Sequence, residues 1–392
     1  MPSAKQAFLI GALFCLLSFL VILALQTRRV RGVNQILAAT VLGIGGNLLY
    51  AFGRELPPLI AYEMANGVYA AASATLFVAY RYFFTRRPFS LALTIAVPAL
   101  MAAIAFFHYV HDSFLARSVI VSLFQIGIAG GIAVTLLQSR AQWHKPYYTE
   151  CFILTMCSLV SLGHLARMGW MLVAPQPPAS LLQSEDGSVI LMSAAAVALP
   201  ALAFGGLLLA HRRIISMVEY AANHDFLTGA LSRKGFFEIS ERELARAVRH
   251  HRPLALLLID FDNFKPVNDT YGHDAGDRTL MLFSRFAKEQ LRAVDCLGRM
   301  GGDEFAILLP ETELPGAVAV ANKLSKKIKA GMTGKEHAGL TVSIGVAVRA
   351  DGDSLQTLIK RADEALYEAK DNGRDRVASN PRLPADACLH SA

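Results

Sequence analysis

The chain has 392 residues, of which 54% are hydrophobic and only 18% charged, and its mean hydropathy is +0.39. Ordinary globular domains run at ~45–50% apolar and ~25% charged, so an entirely soluble protein is excluded and the length implies two or three units. The 38 Lys and Arg exceed the 31 Asp and Glu, giving +7, but the basic residues fall between apolar runs instead of forming one patch, so nucleic acid is not an expected partner. Five cysteines, an odd number without a Cys-x-x-Cys pair, support neither a disulfide framework nor a zinc ribbon.

Seven long apolar runs come first, approximately Phe8 to Leu25, Val33 to Phe52, Leu56 to Tyr80, Phe89 to Val110, Leu115 to Leu137, Cys151 to Val173 and Val189 to Ala210. Each is long enough to cross ~30 Å of hydrocarbon as a helix. The first reads as a retained helix and not as a secretory leader, because Arg28, Arg29 and Arg31 follow the apolar run instead of preceding it. The connections alternate in charge. One set holds those three arginines, then Arg81, Arg86 and Arg87, then Arg140 and Lys145, then Arg212 and Arg213; the other holds Arg54 with Glu55, His111 with Asp112, and Glu185 with Asp186. Basic loops resist translocation, so the N-terminus is expected outside and everything after Ala210 in the cytoplasm.

Within the runs, Glu63, Asn66, His164 and Arg167 are costly to leave in lipid and are expected to face the bundle interior. Matching depth predicts one outer-half cluster of Glu63, His164 and Arg167. A Glu63 to Arg167 ion pair that fixes helix packing and a ligand site are both open readings.

From Ile214 the composition becomes that of a soluble domain. Ile215, Val218 and Ala222 lie at helical spacing and predict a short connecting helix over 212–224. Helices are then expected over Lys234–His250, Asp277–Ala293, Gly316–Lys329 and Leu355–Asp371. Strands are expected over Leu254–Asp260, around Gly298, and over Phe305–Leu309 and Thr341–Val348. This order, with one tight hairpin, predicts helices packed on a mixed or antiparallel sheet.

Two acidic sites carry the chemistry. Leu254 to Ile259 is an unbroken apolar run, hence a buried central strand, and it ends in Asp260, Phe261 and Asp262 at a sheet edge. The second is Arg299-Met300-Gly301-Gly302-Asp303-Glu304-Phe305, where paired glycines permit a tight turn and the approach of a polyphosphate while two acids project beside it. Hard oxygen ligands of this kind suit Mg²⁺ bound to a nucleotide.

Gly301-Gly302-Asp303-Glu304-Phe305 resembles the signature of the GGDEF family of diguanylate cyclases. Asp225-Phe226-Leu227-Thr228-Gly229, Asp260-Phe261-Asp262-Asn263-Phe264-Lys265 with Asn268-Asp269, Gly272-His273 and Gly276-Asp277, Ser343-Ile344-Gly345, and Tyr367-Glu368-Ala369-Lys370 with Gly373-Arg374 resemble further family segments in order. The resemblance covers about Asn223 to Val377; Ala230 and Ser232 depart from the family's usual Leu and Asn.

The apolar runs predict an all-α transmembrane bundle of about seven helices at 1–211 and a signalling helix at 212–224, a disordered tail is expected at 381–392, and the resemblance implies an α/β GGDEF domain at 225–380 with a nucleotide-cyclase-like palm and a mostly antiparallel sheet. The implied reaction condenses two GTP to cyclic di-GMP and two pyrophosphates, in a homodimer at a bacterial inner membrane, in contact with its lipid. The implied catalytic residues are Asp303, Glu304 and Lys265. Asp260, the Phe261 carbonyl, Asp303 and Glu304 would hold two Mg²⁺ per site, with Mn²⁺ able to substitute. Lys265, Lys370 and Arg374 would neutralise phosphate, Asn268 and Asp277 would read guanine, and Phe264, His273, Gly301 and Gly302 would line the nucleotide site. Arg292 and Asp295, with the family's inhibitory-site spacing, would bind product. Three other readings compete: a catalytically silent cyclic di-GMP receptor, which the intact Asp260, Asp303, Glu304 and Lys265 disfavour; a cyclase for mixed purine nucleotides, which Asp277 disfavours; and a transporter, for which no broken-helix repeat is evident.

Overall fold

The computed structural model describes residues 4–24, 30–84, 91–140, 147–173, 186–331 and 340–380. The expected tail at 381–392 and the loop residues Arg28, Arg29, Arg86, Arg87, Lys145 and Glu185 lie outside them. The chain divides into two compact units, Met1–Ser216 and Met217–Ala392.

The first unit is helical: α1 (Ala4–Ala24), α2 (Val33–Ala51), a π-helical turn Leu59–Met64 leading into α3 (Ala65–Phe84), α4 (Leu91–Ala105) closed by a second π-helical turn Phe106–Val110, α5 (Phe114–Gln138), α6 (Tyr148–Val173) and the part of α7 (Asp186–Asn223) up to Ser216. Among the described residues six helices are long and apolar enough to cross a membrane, at Lys5–Ala24, Val33–Ala51, Leu93–Val110, Phe114–Gln138, Tyr148–Val173 and Ala196–Asn223. The expected third span is the exception. It is helical from Leu59 to Phe84, yet it carries Glu63, Asn66, Ser73, Thr75 and Arg81 and packs against α2 and α5. A helix sheathed by its neighbours needs less apolar surface than one facing lipid. α1 shows the opposite case, with Leu13, Leu17, Leu20 and Val21 about half exposed along its length.

The bundle core gathers Ile22, Ile36, Leu76, Ile132, Ile153 and Tyr80. The Tyr80 hydroxyl donates to the Leu202 carbonyl at 2.7 Å, which satisfies the polar end of a ring that is otherwise fully buried. The expected pairing of Glu63 with Arg167 is absent. Glu63 Oε1 instead lies 2.5 Å from His108 Nδ1, so both π-helical turns contribute to one buried contact, and Arg167 turns to Ser118. The expected cluster therefore divides, because the turn that closes α4 interposes a histidine that spacing within the third and sixth spans does not reveal. α7 is also longer than the expected seventh span, since the segment expected as a separate connecting helix continues it to Asn223.

The second unit is built on a five-stranded sheet of β1 (Leu254–Asp262), β2 (Cys296–Gly301), β3 (Glu304–Pro310), β4 (Thr341–Val348) and β5 (Val377–Asn380), in the order β2-β3-β1-β4-β5. β1 is central and antiparallel to β3 and β4, β2 and β3 form an antiparallel hairpin, and β5 runs parallel to β4. Its helices are α8 (Arg233–Arg249), α9 (Phe264–Tyr271), α10 (His273–Gln290), α11 (Leu314–Gly331) and α12 (Leu355–Asp371).

Alternation along β1 sorts the two faces. Ala255, Leu257, Ile259 and Phe261 pack with Phe283 and Leu280 of α10 and Leu324 and Ile328 of α11. Leu254 and Leu256 pack on the other face with Phe236 and Leu244 of α8 and Leu358 and Ala362 of α12. By the same parity Asp260 and Asp262 emerge on the α8/α12 face at the strand's end. Ser232 caps α8, accepting from the Gly235 amide at 3.2 Å while its hydroxyl donates to the Ala222 carbonyl at 2.8 Å, so it serves the N-cap where the resembled pattern has Asn.

Candidate active site

The two carboxylates that end β1 have different surroundings. Asp262 accepts from Thr341 Oγ1 and Ser343 Oγ, each at 2.7 Å, and from the Asp375 amide at 3.0 Å. Its lone pairs are committed to holding β4 and the segment after α12. Asp260 keeps one partner, Lys370 Nζ in the last turn of α12, at 2.8 Å. Asp260 also pairs across the ladder with Glu304, the first residue of β3, so the parity that sets one acid on this face sets the other there too, Asp260 buried and Glu304 exposed.

Between β2 and β3 the chain turns through Gly302 and Asp303. Gly302 has φ +40°, a left-handed value that any side chain would strain, and a Cβ built on Gly301 or Gly302 meets nothing within 4 Å. Open space over paired glycines leaves the turn's backbone accessible to a bulky anion. Arg299, which sequence reasoning passes over, anchors this turn. Its Nε and Nη2 donate to the Gly302 carbonyl at 3.0 and 2.7 Å, and its Nη1 lies 3.2 Å from both oxygens of Asp225. Burial alone would raise the Asp225 carboxyl, but hydrogen bonds from the side chain and amide of Thr228 and the Arg299 guanidinium hold it below the usual carboxylate range. A turn-adjacent arginine facing a loop aspartate 74 residues away leaves no periodic signal, which is why spacing does not show it.

Burial raises the Asp260 carboxyl above its ordinary range; Lys370 works against that, while the charges of Asp303 and Asp262 push it further up. A carboxyl raised by folding favours the fold fully below its unfolded value of about 4, and that contribution is lost as pH rises through the folded value. In metal-free buffer Asp260→Asn is therefore expected to raise the calorimetric unfolding midpoint of the second unit by a few degrees at pH 7, with the gap closing below about pH 4. A lower midpoint at pH 7, or a gap unchanged at pH 3, would contradict the electrostatic account.

The remaining predicted residues fall into four groups. Lys265 in the first turn of α9, His273 at the start of α10, and Arg374 beyond α12 are exposed. The Phe264 ring is buried beside Phe261, with centroids 5.6 Å apart, which leaves its backbone as the part open to a ligand. Asn268 Oδ1 is buried without a hydrogen-bond partner. It sits where a Cβ on Gly276 would come within 2.0 Å, so the missing side chain at 276 is what lets this acceptor lie against α10. α10 begins at His273, four residues before the expected start, which puts Asp277 in its second turn, exposed beyond Asn268. Arg292 and Asp295 meet across a turn, with the Arg292 amide donating to Asp295 Oδ2 at 2.8 Å while Oδ1 is buried without a partner.

Among the described residues no three Asp, Glu, His or Cys side chains converge as a self-contained metal cage. Asp260 and Asp303 with a main-chain carbonyl nevertheless fit a nucleotide-borne divalent ion, since Mg²⁺ is commonly held by one or two carboxylates with water and phosphate supplying the rest.

An α/β domain with two acids at the end of its central strand and a glycine turn beside them has the groups to take a phosphate together with a divalent ion. Residues 222–376 match the family model described as "Diguanylate cyclase, GGDEF domain", and this part of the chain is a GGDEF domain. The chain is 40% identical over 167 residues to diguanylate cyclase DgcM of Escherichia coli (strain K12), covering 42% of this chain and 40% of that protein. It is 38% identical over 158 residues to the response regulator PleD of Caulobacter vibrioides, covering 39% of this chain and 35% of the relative. The chain thus spans 40% or less of the length of these two curated relatives. The crystal structure of the coiled coil and GGDEF domain of DgcB from Caulobacter crescentus in complex with c-di-GMP matches with 28% identity and a TM-score of 0.42, covering 43% of this chain and 92% of that one.

Proposed function

We propose that the protein is a membrane-bound diguanylate cyclase that condenses two GTP into cyclic di-GMP with release of two pyrophosphates. The observation that carries this reading is the convergence of Asp260, Glu304 and Lys370 at the end of β1 beside the open glycine turn and Asp303. In this reading Asp260, Asp303, Glu304 and the Phe261 carbonyl hold divalent ions, Mg²⁺ or Mn²⁺. Such ions would supply compensation for the charge that develops on the transferring phosphoryl group. Lys370, already close to the acids, balances them before substrate arrives and is free to turn to phosphate afterwards. Lys265 and Arg374 add positive charge from two further elements, and Arg374 suits bidentate contact. The unpaired Asn268 acceptor and Asp277 read the guanine N1 and N2 donors.

One such site holds one GTP, and the product joins two, so the reaction requires a homodimer whose sites face each other. The six apolar helices and the basic set of connections support a membrane location with the GGDEF domain in the cytoplasm. The test is direct: full-length protein in detergent, incubated with GTP and Mg²⁺, yields cyclic di-GMP and pyrophosphate in a one-to-two ratio. Tight binding of cyclic di-GMP without turnover would favour a receptor instead.

Product feedback follows from Arg292 and Asp295. Asp295 Oδ1 is a buried acceptor without a partner and Arg292 is exposed beside it, a pair able to accept from and stack on a guanine. Arg292→Ala is expected to raise the product concentration needed for half-inhibition by about tenfold or more, measured by titrating cyclic di-GMP into both enzymes. Superimposable inhibition curves would remove the site from the account.

A further inference from the structure

The N-terminal unit holds a partly open cavity of about 90 Å³. Most of its wall is apolar, including Leu76, Ile104, Val121, Ile128, Ile132 and Leu202, and among the described residues its basic groups are Arg117, His164 and Arg167, with no Asp or Glu beside them. Arg117 is already neutralised, with Nη1 3.0 Å from Asp112 Oδ1 and from the Phe107 carbonyl. Glu63, which could have served Arg167, is taken by His108. Among the described residues Arg167 has one hydrogen bond, a long one of 3.5 Å from Nη2 to Ser118 Oγ, and no acidic partner. Gln125 lines the same cavity, 8% exposed, with its amide unpaired among the described residues.

A guanidinium inside a helical bundle without a counter-charge is costly, and an anion bound beside it removes that cost. We propose that this cavity binds a short-chain monocarboxylate, its carboxylate on the Arg167 guanidinium with Ser118 and Gln125 as supporting donors and its alkyl tail against the aliphatic wall. Size limits the ligand: the cavity is smaller than the ~150 Å³ apolar void that accepts benzene, which points to acids of about two to four carbons. An inorganic anion would satisfy the arginine and leave the aliphatic wall empty, so it is the competing occupant. This inference stands on the bundle alone and does not depend on the cyclase reading.

The full-length protein in detergent, at fixed ionic strength, is titrated calorimetrically with acetate, propionate and butyrate, and separately with chloride. Saturable binding of at least one of the acids, tighter than that of chloride, is expected. Arg167→Gln should weaken it about ten- to a hundredfold, and Arg167→Lys should recover part of the loss. Ala129→Leu, a substitution that fills the cavity and leaves Arg167 in place, should abolish binding as well, which guards against a folding defect in the arginine variant. No saturable binding of any of the three acids, chloride binding as tightly as propionate, or equal affinity in wild type and Arg167→Gln would each overturn the proposal.

Discussion

Replacing Asp303 by Ala is expected to cut cyclic di-GMP formation by about a hundred- to a thousandfold or more while leaving the second unit folded. Asp303 makes no hydrogen bond to another described residue and sits at the tip of an open turn, so its removal takes nothing from the hairpin, which Arg299 holds through the Gly302 carbonyl. In the proposed reading, what is lost is a negative charge that holds a cation against phosphate. Asp260→Ala is expected to do the same by a different route, since it also frees Lys370 from its 2.8 Å contact. Chromatography of the nucleotide products measures turnover, and circular dichroism checks the fold. Activity within a few-fold of wild type in either variant would defeat the assignment of these acids.

Adding one to four alanines after Met217 is expected to make cyclase activity rise and fall with insertion length and partly recover at four. α7 continues unbroken to Asn223, and each added residue rotates the downstream domain by ~100° about the helix axis, with ~3.6 residues completing a turn. The side chains of Ile215 and Val218 are 42% and 61% exposed, and Ala222 continues their spacing. Two copies joined along such a seam would set how two GTP sites face each other, and losing that register is expected to cost most of the activity at two inserted residues. Activity that does not vary with insertion length would leave dimer concentration as the only control. The competing arrangement, in which this seam lies on a membrane surface, predicts the same flat response.

The parts of this molecule that follow a period are legible in its sequence. The apolar run Leu254 to Ile259 announces a central strand, and its parity assigns Asp260 a face; the glycine pair announces the hairpin. Residues that act through a distant partner are not legible. Nothing near Glu63 points to His108, and nothing near Arg299 points to Asp225. α9 is hidden because Pro266 and Asn268 weaken helix propensity, although Pro is tolerated in a first turn. β5 is hidden because Val377–Asn380 is four residues long and without alternation. Glu63 and Asn66 are visible as intramembrane polar residues that should face the bundle interior, but nothing in the sequence shows that α2 and α5 are the helices that sheathe the third span.

The short strand β5 bears on where this chain can be cut. The family match ends at residue 376, one residue before Val377, yet β5 supplies the outer rung of the sheet, pairing Val377 with Ile344 and Asn380 with Ala347. A fragment trimmed to the matched segment would strip that rung and leave β4, whose interior is rich in Val and Ile, with a bare row of amides and carbonyls. Bare edges of that kind recruit further strands, and a protein so trimmed would tend to self-associate edge to edge. Such association could be mistaken for the dimerisation that the proposed reaction needs. Any soluble piece meant to report on real dimers has to run through Asn380.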